Sequence, residues 1–331
     1  MDAKITKKRL NHFLSYDWIK IVAVAVAAIV GWNLIFTTTE TRRLPSQAYQ
    51  VMNYSGTTLS ETATGTLSTF LSEGKFSHEV IETECVDATR AGVEYLATLL
   101  EATFTTDGCD VVAVANVNDP ASETETEDGK VYMTYAQELL RSYNPYVMDA
   151  DEFFNAARAY LNTYYTNGYQ DETSLDKNKI ESDFRARVLA AQDKRYKTEE
   201  SILQTVVLDI QRIEKYRQAL LNVEGYLESG YLRLDLVTVD LEDSYGESYH
   251  FEKKILNLCP DENIMGNLKK EFYYTTQVTD EVTGGTLTLA SAKDMSFAFA
   301  KTTNMDANYY AESLLYIDAL VQKYCAALQN A

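Results

Sequence analysis

Apolar and polar positions divide the chain into one long hydrophobic run and a series of short periodic segments. From Ile21 to Phe36, sixteen residues carry a single polar side chain, Asn33. Extended from Trp18 to Thr39, with Lys20 snorkelling, the run reaches the roughly 20 residues that a helix needs to cross a bilayer. Residues 37–48 are polar and include Pro45, which predicts a short stalk. Tyr49–Tyr54 predicts a strand closed by the turn signal Ser55-Gly56. Leu67, Phe70 and Leu71 recur at helical spacing, and Gly74 predicts the end of that helix.

The next segments are the most informative. Glu79–Val86 alternates like a strand. Val93, Leu96, Leu99 and Leu100 share one helical face, with Phe104 close by. Asp110–Asn116 is a continuous apolar run bounded by polar residues, which suits a strand covered on both faces. Strand, helix and buried strand in this order predict a βαβ unit and a parallel sheet. The acidic stretch 118–130 predicts a solvated loop. Helices are predicted over 132–142 and 149–166, and as a charged pair from 176 to 229. Tyr231–Leu241 and Tyr249–Leu258 predict a hairpin around Asp243–Gly246. Phe272–Val278 and Thr286–Leu289 predict a second hairpin around Gly284-Gly285. Met295–Ala300 reads as a strand and Asn308–Leu328 as an amphipathic helix. The fold class expected is α/β.

Charge gives the chain a direction. Residues 1–20 hold Lys4, Lys7, Lys8, Arg9 and Lys20 against Asp2 and Asp17, a net +3, so the formal charge of −19 leaves −22 on the rest. The basic flank predicts a cytoplasmic N-terminus. Trp18 and Trp32, the only two tryptophans, fit the two interfaces of a span. The expected organisation is a cytoplasmic tail at 1–20, a transmembrane helix at 21–39, a stalk at 40–48 and an extracellular α/β domain at 49–331. The helix-rich part of that domain is expected at about 131–230. The lipid bilayer is then a partner through residues 21–39. The acidic domain repels phosphate backbones, which argues against nucleic acid.

Catalytic and metal-binding patterns are sparse. Cys85, Cys109, Cys259 and Cys325 contain no CxxC pair. They read equally as buried thiols or as two disulfides. Cys85 and Cys109 are expected at opposite ends of the predicted parallel sheet, out of reach of each other. His78 and His250 lack metal-ligand spacing, and no GxSxG, GxGxxG or Walker A pattern occurs. A calcium loop centred on Gly246 fails, because Leu241 and Tyr245 occupy ligand positions. Asn53-Tyr-Ser55 matches a glycosylation sequon. No catalytic residue, cofactor or metal is expected.

In order, the segments resemble the extracellular solute-binding proteins of ABC importers, with the type II periplasmic-binding-protein fold. The resemblance rests on Tyr49–Tyr54, the helix at 67–73, Glu79–Val86, the helix from 93 and the run Gly108-Cys-Asp-Val-Val112. It also rests on Ser296–Thr303 ahead of the last helix. It implies two α/β lobes with a solute such as a sugar or peptide between them, and an accessory role beside a transporter. Ligands of such sheets lie outside the carboxyl ends of the parallel strands. That nominates Asn53 and Tyr54, then Asn116, Asn118 and Asp119, with Tyr143 and Tyr146 as aromatic platforms. The competing expectation is a non-catalytic ectodomain that binds an envelope protein. It is favoured by the long helices and by the scarce cleft chemistry.

Overall fold

The computed structural model describes residues 47–54, 58–59, 61–88, 93–106, 108–119, 122–126, 129–191, 196–242, 247–258, 273–274, 277–279, 286–288, 295–301 and 308–325. It also describes helical positions at 22, 24–26, 28–29 and 32. The chain divides into two compact units, Met1–Leu44 and Pro45–Ala331. In the first, Val22, Val24, Val26, Ile29 and Trp32 are exposed apolar positions of a helix. Among the described residues no helix is long and apolar enough to cross a membrane. Most of the expected 21–39 span, the tail 1–20 and nearly all of the stalk 40–48 lie outside those residues.

The second unit begins with β1 (Ala48–Tyr54), β2 (Thr58–Leu59), α1 (Glu61–Ser72), β3 (Glu82–Asp87), α2 (Val93–Thr105) and β4 (Val111–Ala115). A small hairpin follows, β5 (Thr124–Thr126) and β6 (Gly129–Val131), then α3 (Tyr135–Tyr143), β7 (Val147–Met148) and α4 (Ala150–Asn162). Next come α5 (Lys177–Ala191), α6 (Glu199–Glu228), β8 (Arg233–Glu242) and β9 (Ser248–Asn257). The last elements are β10 (Tyr273–Tyr274), β11 (Gln277–Thr279), β12 (Thr286–Thr288), β13 (Met295–Ala300) and α7 (Asn308–Tyr324).

One mixed sheet runs β3-β1-β4-β13-β9-β8, with β7 also pairing with β13. Its β3-β1-β4 half is parallel, as the βαβ pattern predicts, and the other half is antiparallel. Successive side chains alternate between two cores, as period-2 strands require. Tyr49, Val51, Val111, Ala113, Phe297 and Phe299 face one core with α1, α4, α6 and α7. Met52, Val112, Val114 and Ala298 face the other with α2 and α3. Burial on both faces is why β4 and β13 read as unbroken apolar runs.

Several expectations change in detail. The resemblance implies two lobes, whereas residues from Pro45 onward form one compact unit. The helices α4, α6 and α7 supply their apolar faces to the main sheet itself. The acidic loop carries the β5–β6 hairpin, tied by Lys130 and Tyr132 to the Glu123 carboxylate. Strand β3 starts at Glu82, because Phe76 and Val80 are drawn into the core by an irregular segment. Helix α4 stops at Asn162, whose side-chain oxygen accepts from the Tyr169 amide at 3.0 Å, next to Gly168 with φ +93°. The second predicted hairpin is split. Tyr273–Tyr274 pair with Thr58–Leu59, and only Gln277–Thr279 pair with Thr286–Thr288.

Candidate functional site

The connections leaving β1 and β4 diverge. From β1 the chain enters α1 on one face, and from β4 it continues to α3 on the other. That divergence opens a switch point at the carboxyl ends of the two strands. Tyr54 ends β1, paired with Val114 of β4. Beyond β4 the chain turns back into α3. The Tyr135 amide donates to the Val117 carbonyl at 3.1 Å and the Asp119 amide to the Met133 carbonyl at 2.7 Å. Asn118 pairs with Thr134 in an isolated bridge. Thr134 caps α3 in a reciprocal box with Gln137, which fixes the first helical turn against the strand end.

This geometry assembles Tyr54, Asp119, Tyr135, Glu138 and Arg141. The Tyr54 and Tyr135 rings meet edge to face, centroids 6.4 Å apart. The Tyr135 hydroxyl donates to the Asp119 carboxylate, and Arg141 donates to Glu138 at 2.7 Å. Burial, then the Glu138 and Asp119 carboxylates, push the Tyr54 phenol well above its ordinary range. Burial and Asp119 do the same to Tyr135. Burial also raises the Glu138 carboxyl, with Arg141 opposing. Both phenols therefore stay protonated, and that of Tyr135 donates to Asp119. With two carboxylates and one guanidinium, the cluster suits a polar or cationic solute.

The nominated residues divide. Tyr54 and Asp119 belong to the cluster. Asn53 lies one residue before the strand end and is fully buried, and Asn116 is half-buried. Asn118 is exposed beside the bridge to Thr134. Tyr143 and Tyr146 both pack on Phe104, at centroid distances of 5.6 and 5.5 Å. Tyr146 also accepts from the Lys301 amide just past β13, near the amino end of β4. Their rings serve the α2–α3 layer.

Tyr135, Glu138 and Arg141 were not nominated. Their signal was Thr134-x-x-Gln137, a capping box a short connection beyond the buried strand. No serine or cysteine nucleophile with a histidine base joins this cluster among the described residues. His250 instead forms an exposed cross-strand set with Asp240 at 2.7 Å and Glu252 at 3.2 Å. Comparison with family models, curated proteins and solved structures finds nothing that matches this chain.

Proposed function

We propose that the chain is a membrane-anchored extracellular module that binds a small polar solute at the carboxyl ends of β1 and β4, accessory to a transporter. The observation that carries this reading is the switch point itself, where divergent crossovers bring Tyr54, Asp119 and Tyr135 together. The parallel order β3-β1-β4 sets the carboxyl ends of β1 and β4 side by side, where such a solute would sit. The apolar run from Ile21 and the basic flank before it support the anchor. In this reading the solute sits against one compact domain instead of between two lobes.

The test is the melting temperature of the full chain against a panel of amino acids, short peptides and sugars. A saturable rise that Asp119→Asn abolishes is expected. A flat response across the panel overturns the reading.

A second reading, an ectodomain that docks an envelope protein, is favoured by apolar side chains left in solvent on the α5–α6 pair. Leu189 is 80% exposed and Val207 54%, with Leu203 and Leu208 also exposed. A silent panel together with crosslinks from residue 203 or 207 to an envelope protein would support it.

A further inference from the structure

A cavity of about 220 Å³ lies among α4, α5 and α6, lined by Tyr160, Tyr164, Asp183, Phe184, Arg187, Asp209 and Arg212. It is graded from mouth to floor. At the mouth the Asp183 and Arg187 side chains are 43% and 35% exposed; at the floor those of Asp209 and Arg212 are 4% and 3% exposed. It opens to solvent beside Asp183 and Arg187 and has room for a solute about the size of a single sugar ring.

The charges lining it are already matched. Arg212 pairs with Asp209 at 2.9 Å and with Glu79 at 3.3 Å. Arg187 pairs with Glu79 at 2.9 Å and with Asp209 at 3.5 Å. Two guanidiniums and two carboxylates therefore sum to zero, and Asp183 is met by Lys179 at 3.0 Å. An anion would face carboxylates whose partners are taken. A zwitterion would find neither a spare guanidinium nor a spare carboxylate. His78, Glu79 and Asp209 approach within 4.8 Å, close enough for a metal ion. However, both carboxylates are held by the guanidiniums that such an ion would have to displace.

A neutral hydroxyl has the complementary property: it donates to a carboxylate and accepts from a guanidinium at once. Vicinal hydroxyls fit an alternation of paired Arg and Asp without disturbing its neutrality. The Phe184 ring and the phenols of Tyr160 and Tyr164 supply apolar and donor surface beside them. We infer that this cavity is a binding site for a neutral polyhydroxyl ligand of single-ring size. The inference is independent of the strand-end site and of its solute.

The experiment uses the full chain in a detergent without a sugar headgroup. Melting is followed by circular dichroism against D-glucose, D-galactose, D-ribose and myo-inositol, each to about 50 mM. Sugars at high concentration stabilise proteins non-specifically by exclusion, without saturation or stereochemical preference. A saturable rise selective for one of these probes is expected. Asp183→Asn and Arg187→Lys should each weaken it by about tenfold, one lost charged hydrogen bond's worth. Unselective linear rises for all four probes overturn the inference. So does a saturable response lost in Tyr135→Phe but kept in Asp183→Asn, which assigns the sugar to the strand ends. A response to Zn²⁺ or Ca²⁺ with none to the polyols overturns it as well.

Discussion

Arg212 and Asp209 stand one turn apart on α6 and form a 2.9 Å ion pair with almost no solvent access to either side chain. Burying both charges costs several kcal/mol per ion before pairing, so each depends on the other. Arg212→Ala leaves Asp209 and the partly buried Glu79 without this guanidinium. The expected loss is about 3–5 kcal/mol in urea unfolding. Replacing Arg212 with Met and Asp209 with Leu together should cost much less than the Arg212→Ala change alone. Equal losses for the single and the double variant would refute the coupling.

Phe153 of α4 stacks on Phe299 of β13, centroids 3.7 Å apart and planes within 6°. Both rings are almost completely buried. Phe299→Ala should therefore lower stability by about 3–5 kcal/mol, and Phe299→Leu by clearly less. Chemical denaturation of the two variants checks the order.

Glu312 is buried on α7, where it accepts from the Ser77 amide at 3.1 Å and from the Tyr216 hydroxyl. Burial raises its carboxyl pKa above the ordinary value, against those hydrogen bonds. Just above the ordinary glutamate value, the folded chain therefore holds a proton that the unfolded chain releases. Stability from this group falls as pH rises through the folded pKa. Glu312→Gln should flatten that decline, and melting temperatures between about pH 4.5 and pH 8 measure it.

His78 acts in the opposite sense. Burial lowers its pKa, with Arg212 and Arg187 adding to the effect and Glu79 and Asp209 opposing it. The unfolded chain then binds the extra proton, so this contribution is lost as pH falls below about 6.5. His78→Gln should soften the acid limb of the same melting profile. An unchanged limb would count against the burial argument.

Cys85 and Cys109 are both free thiols, and they face opposite sides of the sheet. Cys85 lies mid-strand, level with Val51, which is also level with Val111. The expectation of opposite sheet ends is thus corrected. What separates the two thiols is the intervening strand β1, two spacings of about 4.8 Å, together with the opposed faces. Maleimide labelling of the native chain should modify the half-exposed Cys85 and spare Cys109 until denaturant is added. A Cys85–Cys109 bridge in mass spectrometry would refute the register.

The order of elements was legible because each core contact leaves a periodic trace. Val111–Ala115 and Met295–Ala300 read as buried strands, and both are. Tyr231–Leu241 and Tyr249–Leu258 read as a long hairpin, and they pair from Arg233 opposite Asn257 through Glu242 opposite Ser248. Two of the five residues in the strand-end cluster, Tyr54 and Asp119, are nominated by where β1 and β4 end.

Tyr135, Glu138 and Arg141 were harder to see, because their place depends on how α3 turns back beside β4. The surroundings of Tyr143 and Tyr146 were hidden for the same reason: a tyrosine near a strand in sequence carries no mark of whether its ring meets solvent or, as here, Phe104. The pairing of Arg187 and Arg212 with Glu79 joins residues more than a hundred positions apart, so no local pattern encodes it.

By itself, the amino-acid order determined the segments, their periodicity, the parallel half of the sheet and the asymmetric charge, since each arises from neighbours a few residues apart. Only the tertiary structure decided that β13 inserts beside β4, that the long helices cover one face of a single sheet, and which charges meet in the cavity. Those outcomes depend on the packing of distant surfaces, where many arrangements satisfy the same local pattern and close fit selects among them.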